Sequence, residues 1–338
     1  MLMIRALKVV CLFIFLPICA VAENNIQNLI DSGAIKNCFL GNGMLQLANK
    51  KLQSLKGIEN IPSAASIRLI DLSNNQISDL GGHSFKHFPH LAQLWLNNNR
   101  LEDISNFHDS AGLENLQVLN LRNNNLKHIS QESFKHLQKL QILFLNNNQL
   151  VSLASLNYLT NLRELHLSHN KLDMLDLQQF SKLSMLYILN VGFNGIKTIK
   201  PLQSGILNRL EMLFLNNNNI NELPSYAFVC PNLQALYLQD NVIAELQDNC
   251  FAGLFNVRSL YLYNNAIKKL PSNIFQDLKN LHLLYLRNNA IEKLEKDWCK
   301  GLDLLNILDL SYNQLSNVKT ENFEIQHLKN LKHCYLYH

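Results

Sequence analysis

Four aromatic residues recur at intervals of 23 or 24 positions in the second half of this 338-residue chain, at Phe214, Tyr237, Tyr261 and Tyr285. Aromatic rings are favoured in protein interfaces because they bury a large contact area, and an exposed run of them usually binds a partner. The same rings also favour β-strands, where they stack on neighbouring strands without any ligand. Of these two interpretations, we favour an interface for this run.

Further residues belong to the same predicted surface. Tyr263 and Arg287 each follow one of the tyrosines by two positions, and arginine is also enriched at interfaces. Trp95 and Phe144 occupy equivalent positions earlier in the chain, where stacking alone could explain isolated rings. The predicted ligand-binding residues are Trp95, Phe144, Phe214, Tyr237, Tyr261, Tyr263, Tyr285 and Arg287.

Histidines offer a different chemistry. His83, His87 and His90 lie within the segment HSFKHFPH, at spacings that a zinc site could use, but no cysteine or carboxylate partner is evident nearby. We therefore expect solvated imidazoles in a variable segment, with no bound metal and no cofactor. Because the sequence contains no G-x-S-x-G, H-E-x-x-H or Walker motif, we predict that the protein is not an enzyme.

The spacing of the aromatic residues belongs to a repeat that covers most of the chain. Its template is L-x-x-L-x-L-x-x-N-x-L, at intervals of 22 to 26 residues when an incomplete twelfth unit from Leu331 is included. A degenerate half-unit precedes the first full copy. This spacing is the signature of a leucine-rich repeat. Eleven complete units begin at Ile67, Leu91, Leu116, Leu140, Leu162, Leu186, Leu210, Leu233, Val257, Leu281 and Leu305.

An asparagine fills the ninth template position in every complete unit. The chain bends inward there, and a buried amide can satisfy backbone donors and acceptors that water does not reach. In the segment LFLNNNN, residues 213–219, this interpretation gives Asn218 the structural role and leaves Asn216, Asn217 and Asn219 replaceable. The predicted amide ladder consists of Asn75, Asn99, Asn124, Asn148, Asn170, Asn194, Asn218, Asn241, Asn265, Asn289 and Asn313.

Units of this length resemble the typical extracellular class of leucine-rich repeat, as in Toll-type receptor ectodomains and secreted insect leucine-rich immune proteins. The resemblance implies an α/β solenoid of about eleven full repeats. It would be curved, with a parallel sheet on the concave face and loops or short helices on the convex face. Because strand side chains alternate, the residue between the last two leucines of each unit should point to the concave face.

The two ends of the chain differ from the repeats. A basic start, a short apolar run and an A-V-A motif predict a signal peptide over residues 1–22, cleaved between Ala22 and Glu23. Residues 23–66 are an N-terminal flank with the half-repeat, and residues 67–338 are the repeat array, for which we expect no C-terminal cap. No later segment is long and apolar enough to span a membrane, so we expect a secreted, extracellular protein.

Five cysteines remain after the predicted cleavage. Cys38, which precedes the first full repeat, is the best placed to form a disulfide with another chain. Cys230 and Cys250 lie on neighbouring convex segments and could form a disulfide, although their offsets within the repeat differ. Cys299 and Cys334 replace core residues, and we expect both to be small buried hydrophobic groups.

The formal net charge is +4, and the charged residues of the predicted concave face are few and of mixed sign. A nucleic-acid binder should show a basic stripe, so we expect a protein or peptide-like ligand instead. We predict a secreted, non-catalytic recognition module, and the family resemblance suggests innate immunity or a cell-surface or matrix interaction. Two alternatives remain: a structural or regulatory subunit of a secreted enzyme, resembling the regulatory subunit of carboxypeptidase N, or a truncated receptor ectodomain.

Overall fold

The computed structural model describes residues 25–338, with the exception of 82–84, 106, 108–111, 154–155, 203–204, 316–324 and 338. The predicted cleavage site at Ala22 and Glu23 lies outside the described residues, and so does His83. Among the residues that are described, no helix has the length and apolar character needed to cross a membrane.

A fourteen-stranded sheet runs along the molecule, and each turn of the coil contributes one short strand to it. The first two strands, β1 (Phe39–Leu40) and β2 (Met44–Gln46), pair antiparallel, whereas the later strands pair parallel. The other strands of this sheet are β3 (Leu69–Asp71), β4 (Gln93–Trp95), β5 (Val118–Asn120), β6 (Ile142–Phe144), β7 (Glu164–His166), β9 (Ile188–Asn190), β11 (Met212–Phe214), β13 (Ala235–Tyr237), β15 (Ser259–Tyr261), β17 (Leu283–Tyr285), β19 (Ile307–Asp309) and β20 (His333–Tyr335).

The rest of each turn has little regular structure. Two-residue strands form three parallel pairs, which are β8 (Met174–Leu175) with β10 (Thr198–Ile199), β12 (Glu222–Leu223) with β14 (Glu245–Leu246), and β16 (Lys269–Leu270) with β18 (Lys293–Leu294). The helix α1 (Ile26–Asp31) lies in the N-terminal flank. Short 3-10 helices span Ala34–Cys38, Ile58–Asn60, Ala64–Ser66, Gln131–Phe134, Leu177–Phe180 and Ile325–His327. The predicted solenoid of about eleven turns is therefore confirmed, with 3-10 turns and loops on the convex side.

The core fills the inside of the coil. The template leucines of the eighth repeat, Leu233, Leu236 and Leu238, are fully buried, and the equivalent residues of the neighbouring repeats are buried in the same way. A column of phenylalanines packs against them from the convex side, each no more than 1% exposed: Phe85, Phe134, Phe180, Phe228, Phe251 and Phe275. Trp298, which the repeat pattern did not single out, is fully buried and meets the Phe275 ring edge-on, with ring centroids 6.3 Å apart.

The Asn218 side chain links its own repeat to the preceding one. Its Nδ2 donates to the Leu215 carbonyl at 2.9 Å and to the Val191 carbonyl of the preceding repeat at 3.1 Å. Its Oδ1 accepts from the Ile196 N–H, also of the preceding repeat, at 3.1 Å. Side chains with the equivalent bonds are Asn75, Asn99, Asn124, Asn148, Asn170, Asn194, Asn241, Asn265, Asn289 and Asn313.

The residue before each ladder asparagine has a left-handed backbone, and we call this set the left-handed row. In LFLNNNN this residue is Asn217, with φ of 54°. Asparagine tolerates this conformation better than most residues, so we revise the expectation that Asn217 is replaceable. The row, with φ between 52° and 58°, consists of Asn74, Asn98, Asn123, Asn147, His169, Phe193, Asn217, Asp240, Asn264, Asn288 and Tyr312.

A second row of asparagines, which the sequence interpretation did not identify, lies just before the first template leucine. The Nδ2 of Asn232, for example, donates to the Asn208 carbonyl of the preceding repeat at 2.7 Å. The same inter-repeat bond, at 2.6–2.8 Å, is made by Asn115, Asn161, Asn256, Asn280 and Asn330. Amides therefore join successive repeats at both ends of the strands.

We expect Asn218→Ala to lower the free energy of unfolding by about 1–3 kcal/mol, because it leaves buried backbone groups without partners. The neighbouring Asn219 is exposed, so Asn219→Ala should change stability by less than about 0.5 kcal/mol. Urea unfolding followed by circular dichroism measures both. Equal losses in the two variants would contradict the structural role of the Asn218 amide.

Candidate ligand-binding surface

The four regularly spaced aromatic residues form one continuous stack on the sheet. Each is the last residue of its strand, and the pairing register places Phe214 opposite Tyr237, Tyr237 opposite Tyr261, and Tyr261 opposite Tyr285. Successive ring centroids are 4.3, 4.7 and 5.4 Å apart, with interplanar angles of 4–8°. We call these four residues the aromatic stack.

In-register strands explain this geometry. Neighbouring strands in a sheet lie about 4.7–4.9 Å apart, so identical positions bring planar rings to stacking distance. The rings of the stack are partly buried against one another, and burial together with the neighbouring Tyr261 raises the pKa of the Tyr237 hydroxyl above its usual value. Stacking is expected whether or not the rings bind a ligand. The structure therefore establishes where the rings lie, and their role in binding stays a prediction.

The other predicted binding residues divide into two groups. Phe144 stacks on His166 with centroids 4.8 Å apart, and Trp95 lies further away, between the Asp71 and Asn120 positions of the adjacent strands. The structure thus separates both residues from the aromatic stack. Tyr263 and Arg287, in contrast, line one cleft together with the last ring of the stack.

That cleft lies at the carboxyl ends of the last strands and has a volume of about 590 Å³. Tyr263, Tyr285 and Arg287 line it, together with Asp309 and Tyr312. The Arg287 guanidinium carbon lies 4.7 Å from the centroid of the Tyr312 ring, within the range of a cation–π contact. Tyr312 was not among the predicted site residues.

Tyr312 and Phe193 occupy the left-handed row, where most repeats have asparagine. Phe193 is 44% exposed and Tyr312 is 49% exposed, so burial does not explain either ring. Bulky residues are rarely found in this conformation, and such outliers often mark functional positions. Phe193 also stacks on His169 of the preceding repeat, with centroids 4.3 Å apart. The signal in the sequence was a large aromatic residue at a position where most of the other repeats have asparagine.

A carboxylate is held in place on β7, two strands before the first strand of the aromatic stack. The Glu164 side chain is 12% exposed, accepts a hydrogen bond from the Tyr187 hydroxyl at 2.5 Å and lies 3.2 Å from His166 Nε2. Burial alone would raise the pKa of Glu164, but the bonds with His166 and Tyr187 outweigh it and lower that pKa below 4.5. Burial and the bond to Glu164 raise the pKa of Tyr187 to about 12.

A second cleft, of about 480 Å³, lies at the amino ends of strands β7 to β15. Its charged lining residues are Arg163, Arg209, Glu211 and Arg258. In the sequence, Arg163 and Arg258 belong to the sparse, mixed charges expected on the concave face, and Arg209 was not identified. The clustering of all three arginines at one edge of the sheet was not predicted.

The cysteines differ from several expectations. Cys230 and Cys250 are buried thiols that are not joined in the structure, and burial raises the pKa of the Cys230 thiol to about 12. Cys38 is 2% exposed, with its Sγ 3.8 Å from the Ala34 carbonyl, and this burial does not support an interchain disulfide. Cys299 is buried as expected, whereas Cys334, on β20, is exposed.

Comparison with known proteins identifies the family. Residues 110–150 and, in overlapping stretches, 160–338 match the family described as leucine rich repeat, and residues 66–107 match its two-copy form. The chain belongs to the leucine-rich repeat family, as the sequence predicted.

Individual relatives match parts of the chain. Asporin from Bos taurus is 30% identical over 92 residues, which cover 27% of this chain and 25% of asporin. A crystal structure of a TLR13–ssRNA13 complex aligns with a TM-score of 0.67 and 28% identity, covering 87% of this chain and 48% of the other. An internalin, InlF from Listeria monocytogenes, aligns with a TM-score of 0.66 and 28% identity, covering 87% and 80%. The chain therefore spans a quarter of asporin and about half of the TLR13 chain.

We expect Tyr187→Phe to lower the free energy of unfolding by about 1 kcal/mol near neutral pH, since it removes a bond to a partly exposed carboxylate. The lowered pKa of Glu164 contributes stability above pH 4.5 that is lost as pH falls through its folded value. The raised pKa of Tyr187 contributes stability below pH 10 that is lost as pH rises towards 12.

Urea unfolding of wild type and Tyr187→Phe between pH 3 and 11 measures the difference in their free energies of unfolding. This difference should be largest in the middle of the range (about pH 5 to 10). Tyr158→Phe is a matched control, because the Tyr158 hydroxyl donates to Glu132 at 3.1 Å in an exposed pair. The control should be nearly neutral at every pH. If the difference in free energy of unfolding between wild type and Tyr187→Phe does not change with pH, the stabilising bond between the Tyr187 hydroxyl and the ionised Glu164 carboxylate is contradicted.

Proposed function

We propose that this protein is a secreted, non-catalytic recognition module whose concave face binds a protein or peptide-like ligand. The observation that carries the proposal is the aromatic stack, in which four rings on four successive strands form one partly exposed ribbon. Contiguous apolar surface of this kind on a soluble domain is more often a binding site than a neutral surface.

The shape of the stack supports a macromolecular ligand. Because the rings lie against one another, they offer a continuous row of edges, with the outer faces of Phe214 and Tyr285 at its two ends. A row that crosses four strands spaced about 4.8 Å apart is about 14 Å long, a length that suits a peptide segment or a protein surface. Tyrosine is also enriched among the residues that dominate binding energy at protein interfaces.

The rings are also held rigidly before any ligand binds. Each sits between two buried leucines, as Tyr237 does between Leu236 and Leu238, and its neighbours restrict its rotation. Side chains that are already ordered lose little conformational entropy on binding. The stack therefore has the composition and the rigidity that protein interfaces favour.

Secretion is the part of the proposal that depends on the N-terminal sequence. The apolar run and the A-V-A motif predict cleavage before Glu23. Expression of the full chain in a eukaryotic secretory host should release protein into the medium with Glu23 as its first residue, as read by N-terminal sequencing. Retention of the intact chain in the cell would contradict secretion.

Replacement of Tyr237, Tyr261 and Tyr285 by serine should abolish ligand binding while preserving the fold, because the template leucines remain. Loss of hot-spot tyrosines typically costs about 2 kcal/mol or more, or roughly thirtyfold in affinity. Affinity capture from the extracellular fluid of the source organism, followed by mass spectrometry, would identify proteins that wild type recovers and the variant does not.

The matched control removes exposed aromatic residues that lie outside the strands. Tyr226 is 51% exposed and Phe255 is 49% exposed, so Tyr226→Ser with Phe255→Ser changes apolar surface elsewhere on the molecule. Circular dichroism checks the fold of both variants. Equal partner recovery by wild type and the tyrosine variant would overturn the proposed binding surface.

A further inference from the structure

We propose that the cleft at the amino ends of strands β7 to β15 binds an acidic, extended segment of the same ligand. This inference rests on the proposed function, because it assigns a second contact and a charge to the ligand. We call the site the arginine cleft and define it by Arg163, Tyr187, Arg209, Glu211, Gln234 and Arg258.

The register of the sheet arranges five of these residues in a row. Arg163, Tyr187, Glu211, Gln234 and Arg258 each occupy the same template position of successive repeats, just before the strand. Their backbones are also tied in order, since the N–H of each donates to the carbonyl of the equivalent residue one repeat earlier, at 2.8–2.9 Å. With strands about 4.8 Å apart, the row from first to last is about 19 Å long.

The charge of the cleft is positive. Three arginines face one glutamate, so the formal charge of its lining is +2. Among the residues that the structure describes, no ion pair within 4 Å engages any of these three arginines. The nearby Glu164 carboxylate is already held by Tyr187 and His166. The guanidinium groups therefore remain available to an external anion.

Carboxylates suit this arrangement. Guanidinium groups bind carboxylates through paired hydrogen bonds, and arginine is preferred over lysine where this geometry matters. Arg163 and Arg258 lie at opposite ends of a row about 19 Å long, so several anionic groups in sequence fit it better than one small anion. An extended peptide of about six residues has this length.

The position of the cleft links it to the aromatic stack. Gln234 precedes Tyr237 by three residues in the same repeat, and Glu211 precedes Phe214 in the same way. Three residues of a strand span about 10 Å, so the two sites run side by side across the three repeats that they share. One ligand can therefore contact both, with acidic groups in the cleft and apolar groups on the rings.

Nucleic acid also combines anionic and aromatic groups, but the structure favours a peptide. Single-stranded nucleic acids bind through bases that stack on aromatic faces, and the inner faces of the stack are occupied by neighbouring rings at 4.3–5.4 Å. A net charge of +2 is also small beside the several phosphate contacts that nucleic-acid binding needs.

The test measures binding of a fluorescein-labelled octaglutamate peptide by fluorescence anisotropy, with octalysine and an eight-nucleotide uridine RNA as comparison probes. Wild type should bind octaglutamate, more weakly as salt rises, and neither comparison probe. The variant carrying Arg163→Gln, Arg209→Gln and Arg258→Gln should bind octaglutamate at least about tenfold more weakly.

The matched control carries Arg68→Gln, Arg100→Gln and Arg122→Gln, which lower the net charge equally and replace exposed arginines outside the cleft. It should bind octaglutamate like wild type. Equal weakening in both variants, or binding of the RNA in preference to octaglutamate, would overturn the proposal.

The test is separate from that of the proposed function. If the cleft proposal is right, the tyrosine-to-serine variant should still bind octaglutamate, because its arginines are intact. If the arginine variant recovers the natural partners as well as wild type does, the cleft proposal fails while the aromatic surface stands. If the tyrosine variant recovers them fully and octaglutamate still binds at the cleft, the aromatic surface fails instead.

Discussion

The structure depends on hydrogen bonds made by a buried or partly buried asparagine at the inner corner of each repeat. A chain that turns every few residues hides backbone N–H and C=O groups from water, and each such group left unpaired costs free energy. Asn218 pairs three of them, two in the preceding repeat. Because every full repeat makes the same bonds to the one before it, the ladder fixes both the bend and the register between repeats.

The pairing register of the strands aligns residues that recur along the sequence into rows on the surface. Once Leu213 lies opposite Leu236, Phe214 must lie opposite Tyr237, and the same constraint aligns every other template position. A residue type that recurs over consecutive repeats then becomes a continuous row. The aromatic stack is such a row, whereas the row in the arginine cleft has mixed residue types at a different position of the same template.

The template in the sequence predicted the architecture well, because its leucines and asparagines have one physical role each. It predicted the ladder asparagine Asn218 but not the left-handed conformation of Asn217, although asparagine, which tolerates that conformation, fills the position before the ladder in seven of the eleven full repeats. The second asparagine row was also missed, because its members lie outside the template. Cys334 was expected in the core because it replaces a leucine, yet the structure places it on the last strand, where it is exposed.

Two exposed aromatic residues depart from the template although the fold does not require the departure. Phe193 and Tyr312 adopt a backbone conformation that asparagine would accept more readily, and both rings are largely exposed. Burial in the core does not explain either ring, whereas it does explain Phe85 and Trp298. Phe193 belongs to the repeat before the aromatic stack and Tyr312 to the repeat after it. Aromatic residues that are partly or fully exposed therefore extend over six consecutive repeats, so the binding surface that we propose is longer than the stack alone.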